Sequence, residues 1–562
     1  SGQGGVDPKV LAMIGDIVAA DVEYGFPSAQ LAIVKDGRMV YSNAWGAVNS
    51  YRSDLSPILE GSPDYKEATT GTLYDLASNT KMYAVNYALQ YMLAHSGDYD
   101  DISLSDPITK FFPQFDDEGK TVFKTGTTDA QKTEIYRWKS QLTIQDILMH
   151  QAGFDPDPQY YNDNFDQDTQ QHTVGAKNTL FSQDKETTLN NVLASPLTYE
   201  PGTKTVYSDV DYMLLGFIIE QVSAQDLDSF LKEHIYQPLG LEHITYTPLE
   251  KGFQADDCAA TEPSGNHWTD LAGHGWAVDF TNCREEVLQG TVHDAKAYYS
   301  MEGVSGHAGL YSNAEDLAKL AQVMLNPTGY GATQLFAPNV NGYFAARKDT
   351  LANWGQGWWR QGDCQRPWYF GVQADRDTIG HQGWTGTLTM IDPSSELVMA
   401  YLTNKINSPI YDSTTALTGY CGNWYTSATL GFVANLLYLG LEDHNAASDI
   451  QPALDALLAD MALDKLRLVE EEGPVAVDHP VILAAQAVVQ QVKDMAAARP
   501  TAQNKAALDL VMSVVRARVP AVETLAVSLD ASVSGGEASL SLTAAQSAEL
   551  VERAVAQGCR NV

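Results

Sequence analysis

Leu76-Ala77-Ser78-Asn79-Thr80-Lys81-Met82 is the stretch on which the fold turns. A strand-like run precedes it and a helical run, residues 82–94, follows it. With Ser78 opening that helix, Ser78 and Lys81 stand one turn apart on the same face. The ammonium then lies beside the hydroxyl. A serine hydroxyl is a poor nucleophile and needs a neighbour to take its proton. Ser-x-x-Lys supplies that neighbour within a single helical turn.

Upstream, residues 10–22 read as an amphipathic helix. Residues 30–34 and 39–45 alternate like strands around Lys35-Asp36-Gly37-Arg38, and Asp-Gly between two such runs signals a hairpin. Downstream, residues 98–300 are rich in Asp, Thr, Gln and Pro, with helical pieces at 143–151, 211–223 and 225–233. Strand signals return from about residue 305. Residues 387–391 and 397–403 flank Asp392-Pro393-Ser394-Ser395, a turn composition, and 431–439 reads as a helix against the sheet.

The expected architecture is α/β plus all-α. An antiparallel sheet flanked by helices draws strands from both ends of the chain (about 1–80 and 305–440). A helical domain, about 81–304, is inserted between them. The composition shifts near residue 441. Ala-, Leu- and Val-rich segments at 448–470, 479–498, 501–518 and 543–556 give a C-terminal helical extension, 441–562.

The chain has 562 residues, and length alone suggests about two to four domains. A net charge of −36 argues against nucleic acid or an anionic membrane surface as partner, because phosphate binding needs a basic face. Solubility is the plain reading of that charge. No apolar run reaches the roughly 18 residues of a membrane span. The chain opens at Ser1 without methionine, which leaves a removed signal peptide or a trimmed chain as alternatives. The five cysteines form no CxxC, which argues against a zinc site. In an oxidising compartment Cys258 could pair with Cys283, and Cys364 with Cys421.

Two further segments carry chemistry. Tyr207-Ser208-Asp209 places a phenol where a lysine ammonium could lower its pKa, making it a base toward Ser78 or a proton donor to a leaving group. Gly380-His381-Gln382-Gly383-Trp384-Thr385-Gly386-Thr387 runs into a strand, and a glycine-bearing strand edge lets a substrate backbone approach. His381 can donate a hydrogen bond to a substrate carboxylate or to the tyrosine. The Gly290–Asp294 and Gly306–Gly309 segments read as structural and bring backbone near the site, since no tight metal-ligand spacing supports an ion. Trp354, Trp358, Trp359, Trp368 and Tyr369 read as packing between sheet and helix, with sugar stacking as the alternative.

With the three motifs in this order, the chain resembles the serine β-lactamase and penicillin-binding protein superfamily, and within it the branch of class C β-lactamases, DD-carboxypeptidases and related esterases. Asp146-Ile147-Leu148-Met149-His150-Gln151-Ala152-Gly153-Phe154, Tyr212-Met213-Leu214-Leu215-Gly216 and Gly306-His307-Ala308-Gly309-Leu310-Tyr311-Ser312 fit the same branch. The resemblance covers roughly residues 10–440. It implies Ser78 as acylated nucleophile, Lys81 as the group that holds its proton network, Tyr207 as base and then proton donor, and His381 in the place of the usual lysine. It implies the N–H groups of Ser78 and Trp384 as oxyanion hole, with Asp209 and Gly383 contacting substrate. It implies no cofactor and no metal.

Two departures bear on substrate. The usual Tyr-x-Asn is Tyr207-Ser208-Asp209, and a carboxylate only accepts hydrogen bonds. The usual Lys-Thr-Gly is His381-Gln382-Gly383, and histidine is less reliably charged near neutrality. The expected activity is serine hydrolysis through an acyl-enzyme on a small peptide ending in D-amino acids, such as peptidoglycan stem peptide, by an exported, periplasmic or extracellular bacterial protein. A carboxylesterase or weak β-lactamase, and a catalytically weak cell-wall-peptide-binding scaffold, are the alternatives.

Overall fold

The computed structural model describes residues 4–441 apart from 271, 272, 274, 276, 327–334, 350, 362–366, 372, 373 and 411–419. The helices expected at 448–470, 479–498, 501–518 and 543–556 lie outside the described residues.

The central sheet has six strands: β1 Ser28–Lys35, β2 Arg38–Gly46, β3 Trp359–Arg360, β4 Ile379–Gly383, β5 Thr387–Asp392 and β6 Leu397–Thr403. Their order is β2-β1-β6-β5-β4-β3, and every pairing is antiparallel. Both hairpins read from the sequence are present. They are joined at the sheet centre, where Leu31 faces Tyr401 and Ile33 faces Met399 across β1 and β6.

Side chains alternate between the two sheet faces, and each face has its own cover. Ala29, Leu31, Ile33, Met390 and Met399 pack on Val10, Ile14 and Val18 of helix Pro8–Glu23 and on Val433 and Leu437 of helix Gly431–Leu439. Ala32, Val34, Ile391, Val398 and Ala400 face Leu317 and Leu320 of helix Ala314–Gln322, together with Met82 and Val85 beyond Ser78. β1 and β6 are therefore buried on both sides along their whole length. That is why β6 is almost continuously apolar, while β1 holds Ser28, Gln30 and Lys35 buried among its apolar residues.

Between β2 and β3 run helices that include Tyr87–Ala94, Asp129–Gln141, Lys185–Ala194 and Asp209–Ser223. Helix Asp129–Gln141 starts at a capping box. Thr128 Oγ1 accepts from Gln131 N at 3.2 Å, and Gln131 Oε1 accepts from Thr128 N at 2.9 Å. A second sheet has three two-residue strands (Tyr74–Asp75, Tyr311–Ser312 and Ile244–Thr245), of which Tyr74–Asp75 comes just before Ser78 in the chain. Strands so short carry no readable period. Among the described residues no helix is long and apolar enough to cross a membrane.

The Cys258–Cys283 pairing is not formed; both are free thiols. Cys258 packs with Leu73 and Tyr311, whereas Cys283 lies against the separate cluster of Tyr161, Val278, Phe280 and Tyr299. Cys364 lies outside the described residues, and with it the expected pairing to Cys421.

Candidate active site

Ser78 is presented by a tight corner. Ala77 takes a left-handed φ of 47°, unusual for a residue with a Cβ. Asp75 holds the corner, with Oδ1 accepting from Ala77 N and Oδ2 from His293 N, both at 2.8 Å. Leu76 N donates to Leu310 O at 2.9 Å, and Thr80 Oγ1 accepts from Leu310 N at 3.1 Å. The start of the Ser78 helix is thereby tied to the segment that follows His307. The chain then makes a π-helical turn, Lys81–Asn86, before the α-helix Tyr87–Ala94. Such wide turns concentrate at functional sites.

The β4–β5 turn is fastened to the same corner. Thr385 Oγ1 donates to Asp75 O at 2.7 Å, and Thr387 Oγ1 donates to Leu76 O at 2.9 Å. The buried Asn79 side-chain amide lies 3.0 Å from both Thr387 Oγ1 and Thr389 Oγ1. Among the described residues, the N–H groups of Ser78 and Trp384 have no protein acceptor.

Lys81 is fully buried, and its Nζ donates to Ser78 Oγ at 2.9 Å, to Asp209 Oδ1 at 2.8 Å and to His307 O at 3.3 Å. The same ammonium lies 4.7 Å from the centre of the Tyr207 ring. Burial opposes its charge, but Asp209 and then Tyr207 outweigh burial and hold its pKa above the ordinary lysine value.

Lys81 and Ser78 both act on the Tyr207 phenol in the direction that lowers its pKa. The expected lowering of its pKa does not occur. Burial pushes the phenol up, Lys81 only partly opposes this, and Asp209 reinforces it. Tyr207 is wedged between rings: His150 is 4.4 Å away and His381 6.1 Å, centre to centre. His150 in turn is bonded to Asp211, with Nδ1 2.8 Å from Oδ2.

His381 has no exposed surface. Its ring stacks on Trp359 at 4.5 Å, and its Nδ1 is 2.7 Å from Gln382 O. It therefore abuts Tyr207 and not solvent. Trp384 is the exposed member of its motif, stacked on His293 at 5.2 Å. The aromatic run is mostly packing: buried Trp358 meets Tyr83 edge-on and donates from Nε1 to Asn86 Oδ1 at 3.0 Å. The Trp368 side chain lies outside the described residues.

Asp209 departs from the sequence expectation in its company. Its Oδ1 takes Lys81, while its Oδ2 is 3.1 Å from Nζ of a second buried lysine, Lys296. Burial is outweighed by Lys81, Lys296 and His307, and the carboxyl is held well below its usual range. Lys296 is also bonded to Asp157. His307 Nε2 lies 2.7 Å from Asp294 Oδ1, and His307 Nδ1 lies 2.7 Å from Ser305 Oγ. The two glycine-bearing segments thus do more than supply backbone, because Asp294 and His307 belong to this charged network. Lys296 gave no sequence signal; it is one lysine in Ala295-Lys296-Ala297-Tyr298. Ligand atoms of Asp209, Asp294 and His307 lie within 4.8 Å of one another, a spacing that suits a cation. The ammonium groups of Lys81 and Lys296 are the cations on Asp209.

The Beta-lactamase family profile matches residues 14–416. A protein of Escherichia coli K12 named "Putative D-alanyl-D-alanine carboxypeptidase" is 42% identical over 425 residues, 76% of this chain and 89% of its own length. One of the same name from Salmonella typhimurium LT2 is 41% identical over 440 residues, 78% of this chain and 93% of its own. Among solved structures, the hydrolase EstCE1 (TM-score 0.50, 20% identity) covers 76% of this chain and 99% of its own. A variant of simvastatin synthase from Aspergillus terreus (TM-score 0.51, 17% identity) covers 76% and 98%. These two share the fold. The chain belongs to the Beta-lactamase family of serine β-lactamase and penicillin-binding-protein-type hydrolases.

Proposed function

We propose that this hydrolase forms an acyl-enzyme on Ser78 and releases the terminal D-amino acid from a small peptide, with peptidoglycan stem peptide in the cell envelope as its substrate class. The observation that carries the reading is the contact of Ser78 Oγ with Lys81 Nζ at 2.9 Å, with the Tyr207 ring centre 4.7 Å from the same ammonium. The names of the Escherichia coli and Salmonella relatives support the substrate class.

In acylation the Oγ–C bond forms and the carbonyl electron pair moves onto oxygen. The free N–H groups of Ser78 and Trp384 would stabilise that oxyanion, and losing one such donor typically costs about 2.7–4 kcal/mol in barrier. Tyr207 is held as a phenol, so it works as a relay. It takes the Ser78 proton as its own proton passes to the leaving nitrogen and the C–N bond breaks. Lys81, kept cationic by Asp209, stabilises the negative charge that builds on Oγ. Water then attacks the ester carbonyl, and the relay runs in reverse. His381 backs the Tyr207 ring, and β4 and the turn after it carry Gly383 and Trp384 to the reacting carbonyl.

An ester substrate is the second reading. Both Asp209 oxygens are engaged by lysines, and a carboxylate offers no donor to a substrate amide carbonyl. The catalytic unit is taken as residues 1–440, and the family match to 14–416 supports that division from the extension at 441–562.

Intact-mass measurement after incubation with benzylpenicillin and with an alkyl fluorophosphonate tests the reading, with Ser78→Ala as control. A mass gain absent from the variant is expected, together with release of D-Ala from a diacyl-D-Ala-D-Ala peptide. Labelling by fluorophosphonate alone, with the peptide intact, would replace the peptidase by the esterase. Equal labelling of Ser78→Ala would sink both.

A further inference from the structure

We propose that Lys296 is a positioning residue for acyl transfer. Paired with Asp209, it takes the place of the neutral amide usual at the third position of the Tyr-x-Asn motif. The inference rests on the Ser78-centred reading above.

A lone carboxylate at position 209 would be a poor replacement for an amide. Its full charge would act on Lys81 and draw the ammonium from Ser78 Oγ, since the attraction between buried charges is strong at short range. The structure answers this by sharing the carboxylate. Oδ1 faces Lys81 at 2.8 Å and Oδ2 faces Lys296 at 3.1 Å. Each oxygen has one cation, the carboxylate plane is fixed, and Lys81 keeps its 2.9 Å contact with Ser78 Oγ.

Lys296 is itself held on several sides. Its side chain is 5% exposed and bonded to Asp157. The Asp157 loop is fastened to the same strip of chain, with Asp209 N donating to Pro156 O at 3.2 Å and Ser208 Oγ to Asp155 O at 2.7 Å. Asp294 acts on Lys296 electrostatically and accepts from Ala297 N at 2.8 Å. His307 bridges back, with its ring on Asp294 and its carbonyl accepting from Lys81. The ring Lys81–Asp209–Lys296–Asp294–His307 closes on Lys81. Lys296 also opens a π-helical turn, Lys296–Ser300, as Lys81 opens Lys81–Asn86.

The network that reaches Ser78 through Lys81 thus holds three carboxylates (Asp157, Asp209 and Asp294) and two ammonium groups. A salt bridge built only for stability would not need its carboxylate shared with the lysine that touches the nucleophile. Breaking a buried pair by removing one partner is costly, because the other charge is left uncompensated. Neutralising Lys296 and Asp209 together keeps the net charge of the network and lowers that cost.

The test is a charge-compensated swap in the full chain. Ser78→Ala, Lys296→Met, Lys296→Arg, Asp209→Asn and the Lys296→Met/Asp209→Asn double variant are compared for the rate of fluorophosphonate labelling and for kcat and KM on an ester. Lys296→Met is expected to lose on the order of 100-fold in labelling rate, with KM little changed. The double variant should regain about 10-fold or more over Lys296→Met, because the two sites are energetically coupled. Lys296→Arg, which keeps the charge, should stay within about 10-fold of the parent. Multiplying losses in the double variant, or a Lys296→Met rate equal to the parent, would overturn the proposal. Should Lys296→Met fail to give a folded melting transition, the ranking of the double variant against Asp209→Asn decides: a slower double refutes the compensation. Activity surviving in Ser78→Ala is a separate failure, of the Ser78 reading itself.

Discussion

Gly383 lies so close to Leu76 that a Cβ built on it would sit 2.2 Å from the Leu76 carbonyl oxygen and 2.3 Å from Thr387 Oγ1. This contact sets the distance between the strand that carries Trp384 N–H and the corner that carries Ser78. Gly383→Ala must push the two apart, because neither backbone can yield alone. Overpacking of this kind costs about 1–3 kcal/mol. Displacing an oxyanion donor by about 1 Å costs on the order of 100-fold in rate, so a loss of up to about 100-fold in turnover is expected with a modest drop in melting temperature. Equal turnover in Gly383→Ala and the parent would show that this spacing does not limit catalysis.

Tyr207 and Lys81 both have raised pKa values, for different reasons: burial disfavours the phenolate, and Asp209 favours the ammonium. Both groups therefore stay protonated across the neutral range. The relay predicts kcat/KM that is flat from about pH 7 to about pH 9, with no rise tracking phenolate formation. Tyr207→Phe should keep the fold and lose acylation by about 10²–10⁴-fold, the usual worth of a proton-transfer group. A parent rate that climbs tenfold per pH unit through that window would instead make Tyr207 a phenolate base.

The legible parts of this site are those whose partners are close in sequence. Ser78 and Lys81 show themselves by a one-turn spacing. β1 and β2, and likewise β5 and β6, show themselves by period and by the turn between them. Lys296 and Asn79 do not, because their meaning lies in tertiary convergence: Lys296 reaches an oxygen on Asp209, and Asn79 spans to β5. The pKa direction of Tyr207 is hidden for the same reason, since a sequence shows the neighbouring charge but not the depth of burial. Asn79 is testable. Asn79→Ala leaves the hydroxyls of Thr387 and Thr389 short of a buried partner, at a cost of about 1–3 kcal/mol. A lowered melting temperature and slower acylation should appear together. A fall in stability with acylation unchanged would make Asn79 a structural residue only.

Lys139 carries a prediction far from the chemistry. Its side chain has no exposed surface, and Nζ donates to Thr121 Oγ1 at 3.0 Å and to Leu193 O at 2.7 Å. Burial lowers its pKa to about 7, with Asp116 only partly opposing. In the unfolded chain the group titrates near its ordinary value of about 10.4. Between those two values the unfolded state binds one more proton than the folded state, so stability rises with pH across the window. Below about pH 7 both states are protonated, and the burial penalty is felt in full. Chemical denaturation of the parent and of Lys139→Met should give curves whose difference is flat below about pH 6. That difference should then climb in favour of the parent by up to about 1.4 kcal/mol per pH unit from about pH 7 to about pH 10. The comparison with Lys139→Met removes the contribution of every other group, so parallel curves through that window would mean that Lys139 keeps its proton in the folded chain.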